Sequence, residues 1–179
     1  MTSLAKGFAV LDLFCEVQPV WHADEINHAL GYTRATGYRY VKDLVEAGFL
    51  RKVSAGRYSL GPRIIELDYQ LRRSDPVLLA AGPVMDELVK KTCLDTVLYT
   101  LFDDRVVDIH RASGDPSLSL SYGRGRPMPL FLGAAAKILV SHLGRRQLQR
   151  LGLGTSWSDF RIRMHAIHAE GFYLSLGEV

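Results

Sequence analysis

Residues 29–60 read ALGYTRATGYRYVKDLVEAGFLRKVSAGRYSL, and Gly61-Pro62-Arg63 follows. Apolar residues three and four apart place a helix over Thr33–Ala47, and Gly48 supplies a left-handed stop. A shorter helix over Glu25–Leu30 precedes it, with Asp24 as the expected N-cap and Gly31 as the terminator. Two helices joined by a three- or four-residue turn containing glycine are the helix-turn-helix pattern. Two short extended runs come next, Phe49–Val53 and Arg57–Leu60, joined by Ser54-Ala55-Gly56. They predict a hairpin in which Gly56 takes the positive φ of the turn. A hairpin directly behind such a helix is a wing.

At about 100° per residue the longer helix has two faces. Ala35, Tyr38, Val41, Leu44 and Val45 fall on the expected core side. Thr33, Thr36, Arg39, Tyr40 and Asp43 fall opposite, and their hydroxyls, guanidinium and ring suit base edges and phosphates. Arg34 angles toward the core, but a long side chain in a first turn can swing clear of it. Gly37 costs the helix about 1 kcal/mol relative to alanine, and it permits close approach of a neighbouring backbone or of DNA. Charge is uneven along the chain: residues 1–29 carry a net −3 and residues 30–63 a net +5. Arg51, Lys52 and Arg57 place part of that excess on the hairpin. Such clustering is the footprint of a phosphate-binding surface; it equally fits a solvated helix followed by a charged hairpin.

Working outward, Leu4, Phe8, Leu11 and Cys15 share one face of a helix expected over Ser3–Glu16. A second apolar set, Val10, Leu13, Phe14 and Val17, suits either a dimer contact or a helix sandwiched within its own domain. Pro62 suits the first position of another helix, whose apolar face is Ile64, Leu67 and Leu71 and which ends at Arg72-Arg73-Ser74. Residues 62–74 are therefore expected to be a linker helix between a domain of residues 1–61 and one of residues 75–179. In the latter, Asp75-Pro76 opens a helix from Val77 to Lys91. Strands are expected over Thr96–Phe102, Val106–Arg111 and Ser117–Tyr122, with Asp103-Asp104 as a turn. A loop at 123–127 then leads to helices over Ala134–Leu143, Arg145–Leu151 and Phe160–Glu170 and a last extended run, Phe172–Leu176. Helices around a hairpin-based sheet make an α+β sensory or binding domain.

With 179 residues the chain has room for one ordinary domain or two small ones, and 47% hydrophobic with 23% charged residues excludes a mostly disordered chain. The apolar stretch around Pro129–Val140 contains Gly133 and Lys137 and falls short of the ~20 apolar residues of a membrane span. No secretory pattern opens the chain. Cys15 and Cys93 stand alone without C-x-x-C, which suits a reducing cytoplasm and argues against a disulfide framework.

The ordered series of features resembles IclR-type bacterial transcription regulators. Leu4–Leu11 matches their leader helix. Ala29-Leu30-Gly31, Glu46-Ala47-Gly48-Phe49-Leu50 and Tyr58-Ser59-Leu60-Gly61 match the frame of their winged helix-turn-helix. Pro83–Thr92, Thr96–Leu101 and Gly125–Ser141 are similar to the family's effector-binding domain. The resemblance covers essentially the whole chain. It implies an α+β protein with an N-terminal winged helix-turn-helix, a linker helix and a C-terminal GAF-like effector-binding domain. It further implies a sequence-specific DNA-binding transcription regulator without a cofactor, a homodimer or tetramer on pseudo-palindromic double-stranded DNA. A small organic-acid-like effector would modulate its DNA affinity. Thr33, Arg34, Thr36 and Arg39 are thereby assigned to the major groove or its phosphates, beside Tyr40 from the face analysis, and Arg51, Lys52 and Arg57 to the wing contacts. The effector set maps to Gly125, Pro129, Leu130, Phe131, Leu132, Gly133, Ala134 and Ala135. Two departures stand out. Phe131-Leu132-Gly133 is more apolar than the family's usual run, implying either a greasier ligand or an altered site. The family's domain also continues past Gly177-Glu178-Val179, so the C-terminal domain is expected to be incomplete, with an exposed edge and apolar face.

No catalytic constellation assembles. His165 and His168 have an i, i+3 spacing, but no further ligand follows at zinc-site distance. Gly123 and Gly125 lack the frame of a dinucleotide loop. Ser117, Ser119 and Ser121 lie in no nucleophile elbow. Asp108 is expected to face solvent, and Cys93 to be buried. Arg124 and Arg126 are either exposed loop charges or a clamp for a ligand carboxylate. The alternative function is a small-molecule-binding or enzymatic α+β module whose winged helix mediates protein contacts.

Overall fold

The computed structural model describes residues 1–114, 123–151 and 157–178. Its contacts divide the chain into two units, Met1–Asp75 and Pro76–Val179. Among the described residues no helix is long and apolar enough to cross a membrane.

In the first unit, α1 covers only Ser3–Phe8, capped by Thr2, whose Oγ1 accepts the Ala5 N–H at 3.2 Å. The expected single helix to Glu16 breaks there and continues as a 3-10 turn, Leu11–Leu13. The break has a packing reason: it lets Val10 reach full burial and brings Leu11, Leu13 and Phe14 against the same core. Of the two sets read from the sequence, the second mostly serves its own unit. Leu4 and Phe8 on α1 remain exposed. The indole N–H of Trp21 fixes the turn by donating to the Leu13 carbonyl at 2.9 Å.

Strand β1 (Trp21–His22) leads directly into α2 (Ala23–Leu30). His22, not Asp24, caps this helix. Its Nδ1 accepts the Asp24 N–H at 3.2 Å, while the Glu25 carboxylate accepts the His22 N–H at 2.7 Å. These two bonds satisfy donors that a helix start leaves open. Gly31 closes α2 in the left-handed conformation, φ 65°.

Helix α3 (Arg34–Glu46) starts at Thr33, whose Oγ1 accepts the Thr36 N–H at 3.4 Å. Its buried residues are Gly37, Tyr40, Val41 and Leu44. That stripe is rotated from the expected one: Ala35 is exposed, Tyr38 half-buried, and Tyr40 only 7% exposed. The cause lies at Gly37. A Cβ there would fall 1.5 Å from Asn27 Oδ1, so the Asn27 side chain occupies the space that any other residue would need. Helix α2 thus crosses α3 at its one position without a side chain. Val10, Ile26, Tyr40, Val41, Leu44 and Leu50 form the core of this unit, each large aliphatic side chain contributing about 1.5–3 kcal/mol by burial.

Strands β2 (Leu50–Ser54) and β3 (Arg57–Leu60) pair antiparallel, with Leu50 opposite Leu60 and Lys52 opposite Tyr58, and β1 adds to the far side of β3. Gly56 has φ 69°, and a Cβ on it would meet the His22 ring at 2.3 Å, so turn and packing both require glycine. Pro62 precedes α4 (Arg63–Ser74), a helix with no buried residue.

The second unit opens with α5 (Pro76–Thr92), which buries Leu78 and Met85. Strands β4 (Thr96–Phe102) and β5 (Arg105–Ala112) form a hairpin over Asp103, whose φ of 52° is one that aspartate tolerates in turns. Leu98 pairs with His110 and Tyr99 with Asp108, which leaves Ile109 as an extra residue on β5. The short β6 (Pro127–Met128) joins the other edge of β5. The expected strand at 117–122 lies outside the described residues. Helices α6 (Gly133–Ser141), α7 (Arg145–Arg150) and α8 (Trp157–Glu170) follow. Val106, Met128, Leu130, Ala136, Val140, Leu148, Met164 and Ile167 make the core. The run Phe172–Leu176, expected to be extended, pairs with no described strand.

If the α2–α3 crossing depends on Gly37, Gly37→Ala destabilises the first unit by about 1–3 kcal/mol, because the overpacking cost exceeds the gain in helix propensity. Adding Asn27→Ala vacates the space and recovers much of the loss. Denaturant titration of the two single variants and the double variant measures this coupling.

Candidate nucleic-acid interface

With Gly37, Tyr40, Val41 and Leu44 turned inward, Ala35, Arg39, Lys42 and Glu46 point most directly away from the core, and all four are exposed. Arg34 and Tyr38 flank them. The Arg39 guanidinium lies over the Tyr40 ring, 5.2 Å from its centre. Tyr40 is itself fixed by an edge-to-face contact with Tyr32 at 5.7 Å and by a hydroxyl bond with Ser3 at 3.1 Å. That Ser3 bond is the main reason its hydroxyl pKa lies below the ordinary value. Tyr40, expected on the outward face, is therefore a buried support for Arg39. Packing at the 37/40/41/44 spacing overrides the apparent polarity of its hydroxyl.

At the start of α3 the Arg34 guanidinium sits 5.4 Å from the Tyr38 ring centre and 3.8 Å from the Asp24 carboxylate. The Tyr38 hydroxyl donates to Asp24 at 3.4 Å. Tyr38 and then Asp24 push the Arg34 pKa still higher. Asp24, freed from capping by His22, thus ties the first turns of α2 and α3 together. Thr33 and Thr36 share a hydroxyl bond of 2.9 Å, with Thr33 exposed and Thr36 half-buried. The face analysis missed Lys42 and Tyr38. Lys42, 3.6 Å from Glu46, continues the exposed strip one turn beyond Arg39. Correct phasing from Gly37 is the signal that finds both.

On the wing, Lys52 and Arg57 are exposed. The Arg51 Nε donates to Ser59 Oγ at 3.0 Å, which draws it toward the cleft beside Phe14 and Pro19.

The effector segment in the second unit forms one continuous path from the 123–127 loop into α6. Gly125, φ 85°, donates its N–H to the Asp108 carbonyl at 2.8 Å and so pins the loop to β5. Pro129 and Leu132 are exposed, Phe131, Ala134 and Ala135 half-buried, and Leu130 and Gly133 buried. At the α6 N-terminus the Gly133 N–H, φ 78°, donates to the Glu178 carboxylate at 3.1 Å. The Lys137 Nζ reaches both Glu178 oxygens at 2.7 and 2.6 Å, and the Tyr173 hydroxyl donates to one at 3.2 Å. Lys137 holds the Glu178 pKa below its ordinary value, and Glu178 raises that of Lys137. This three-residue knot spans 41 positions, and only the lone lysine in an apolar run hints at it in the sequence.

Two expectations are corrected here. Asp108 is 1% exposed rather than solvent-facing, because it lies two residues along β5 from the buried Val106 and so shares its inward face. Burial pushes its carboxyl pKa up, opposed by the charges of Arg111 and Arg124. Cys93 is exposed, at a positive φ of 56° just beyond α5. Arg126 is exposed and Arg124 half-buried. Among the described residues no group of three or more His, Cys, Asp or Glu is gathered as for a metal.

The knot at α6 gives a pH signature. The Glu178 contribution is complete above its ordinary value of 4.5 and is lost as pH falls through its lowered folded pKa. Glu178→Gln therefore lowers the thermal midpoint at neutral pH, and its difference from the unaltered chain shrinks on acidification below pH 4.5. Melting curves across pH test this.

Comparison with known proteins matches both units. A model of the IclR helix-turn-helix domain matches residues 3–54, and a model of the bacterial transcriptional regulator IclR C-terminal domain matches residues 71–163. The chain is 27% identical over 147 residues to the HTH-type transcriptional regulator KipR of Bacillus subtilis, which covers 82% of this chain and 58% of KipR. It spans half to two thirds of the length of the curated relatives it matches, which are named as regulators rather than enzymes. An IclR family transcriptional regulator from Brucella abortus shares the fold, with TM-score 0.81 and 22% identity over 99% of this chain and 72% of that one. So does an IclR homologue from Microbacterium hydrocarbonoxydans complexed with 4-hydroxybenzoate, with TM-score 0.70 and 21% identity over 95% of this chain and 75% of that one. With family models matching most of its length in the order that its two units require, the chain belongs to the IclR family of bacterial transcriptional regulators.

Proposed function

We propose that this chain binds double-stranded DNA through α3 and the wing, as part of a cytoplasmic transcription regulator whose second unit senses a small organic acid. The observation that carries the reading is the pair of exposed guanidiniums, Arg34 and Arg39, each set over a tyrosine ring on a helix whose opposite side is buried. A guanidinium offers the planar fork that matches guanine O6 and N7 or a phosphate. A ring beneath it restricts its motion and reduces the entropy lost on contact. Thr33 and Lys42 extend this surface along the helix, with the half-buried Thr36 only at its margin, and Lys52 and Arg57 bring charge to the backbone on the wing side. Arg51, tethered to Ser59, is the weakest member of the set, and Tyr40 acts only through Arg39.

Two copies of the chain would place their α3 helices in successive major grooves about 10 base pairs apart on a pseudo-palindrome. The exposed Ile65 and Tyr69 on α4 and Leu4 on α1 favour a homodimer, since a lone chain leaves them in water. An organic acid is favoured by the homologue that binds 4-hydroxybenzoate. The segment Gly125 and Pro129–Ala135 is the proposed effector site, its half-buried Phe131 suiting an aromatic or aliphatic body. The ligand acts by binding the DNA-compatible and DNA-incompatible states with different affinity.

Anisotropy titration against an operator selected from random DNA, repeated across salt concentrations, is expected to give a steep negative log–log slope. Arg39→Ala is expected to weaken operator binding and relax discrimination by about 1–3 kcal/mol at one base pair. Lys52→Ala is expected to weaken all sequences alike and reduce the salt slope by about 1. DNA binding indifferent to both substitutions contradicts the assignment.

A further inference from the structure

His142 is the C-cap residue of α6, and His168 lies in the last turn of α8. Both imidazoles are exposed, and their Nδ1 atoms face each other at 3.1 Å. Spacing in the sequence pairs His168 with His165, but the fold brings it to His142, 26 positions away. The ring centres are 4.3 Å apart and the planes meet at 69°. A head-on N–H···N bond of this length would hold the centres about 5.4 Å apart, since each centre lies directly behind its Nδ1. The observed separation bends both rings off the line joining the two nitrogens. Two imidazoles sharing one cation at about 2.0–2.1 Å also bend away from that line, with nitrogens about 3.1–3.4 Å and ring centres about 4.8–5.3 Å apart, so the two nitrogens already stand at the spacing a shared cation needs and a rotation of each exposed ring aims them at it.

We infer that His142 and His168 form a two-histidine site for a divalent first-row transition cation, of the class of Zn²⁺ or Ni²⁺. Imidazole is a preferred ligand for both, and exposure lets water complete the coordination. The negative end of the α6 dipole adds attraction for a cation at His142. As a hydrogen-bonded pair the two nitrogens must share one proton between them; the cation replaces that proton and bonds to both. Its structural effect is to staple the C-terminal ends of two helices that share the core through Ala136, Val140, Met164 and Ile167. Helix α6 also begins at the proposed effector segment, so the staple would stiffen one wall of that region.

The test uses the full chain without a histidine tag, cleared of metal by a chelator. Cys15 and Cys93 are replaced by serine, because both are exposed thiols that bind zinc. Calorimetric titration with ZnCl₂ and with NiCl₂ is expected to give a one-site isotherm, accompanied by a rise in thermal midpoint. His142→Gln and His168→Gln each abolish both responses, whereas His165→Gln keeps them. Circular dichroism of each variant establishes that it is folded. Absence of an isotherm overturns the inference and leaves a plain hydrogen-bonded pair. Binding that survives His142→Gln, or that is lost in His165→Gln alone, also overturns it and moves the cation elsewhere.

Discussion

The Asn27 side chain sits where a side chain at residue 37 would have to be, and the first unit depends on this one steric fact. A helix can rest on its neighbour at any rotation about its axis until some position forces the choice. Here Gly37 forces it: α2 approaches α3 at the missing Cβ, and Tyr40, Val41 and Leu44 follow inward. Both polar atoms of Asn27 are buried without a hydrogen-bond partner. The contact is thus held by shape and by the surrounding apolar core, at a cost in desolvation. The same rotation decides what α3 offers to the outside: two arginines, each set over a tyrosine ring, with Lys42 one turn beyond Arg39.

In the second unit an ion pair joins the apolar core. The α6 N-terminus is closed by the Glu178 carboxylate, which is gripped in turn by Lys137 and Tyr173. Free N–H groups at a helix start attract anions, so this end of α6 has the chemistry to hold a carboxylate and in this structure holds one from its own chain. Asp108, by contrast, is a buried carboxyl on β5 with two arginine charges near it, and it marks where the strand phase shifts at Ile109. Both features lie next to the segment assigned to the effector, where these charged groups adjoin the apolar core formed by Met128, Leu130 and Ala136.

Much of this was legible in the sequence because it depends on local chemistry. Gly31, Gly48 and Gly56 announce positive φ, Thr33 announces a helix start, and alternation with turn residues announces the two hairpins. The order of these signals also reveals the family. What was not legible depends on partners distant in the chain. Tyr40 looks polar and outward until Tyr32 and Ser3 are known to surround it. Asp24 looks like a cap until His22, entering from a two-residue strand, takes that role. The α1 region looks like one long helix until Val10 has to reach the core. In the candidate interface, residue types and approximate positions were readable, but the rotation of the helix was not, and Lys42 was missed for that reason.

Thiol protection along α3 tests the rotation most directly. Single cysteines are placed at Ala35, Thr36, Lys42 or Asp43 in a chain lacking Cys15 and Cys93, and alkylation is followed with and without operator DNA. The account predicts that DNA protects positions 35 and 42 much more strongly than 36 and 43. Strong protection at 36 and 43 with none at 35 and 42 would show a different face of α3 against the DNA, and would contradict the role assigned to Gly37 and Asn27.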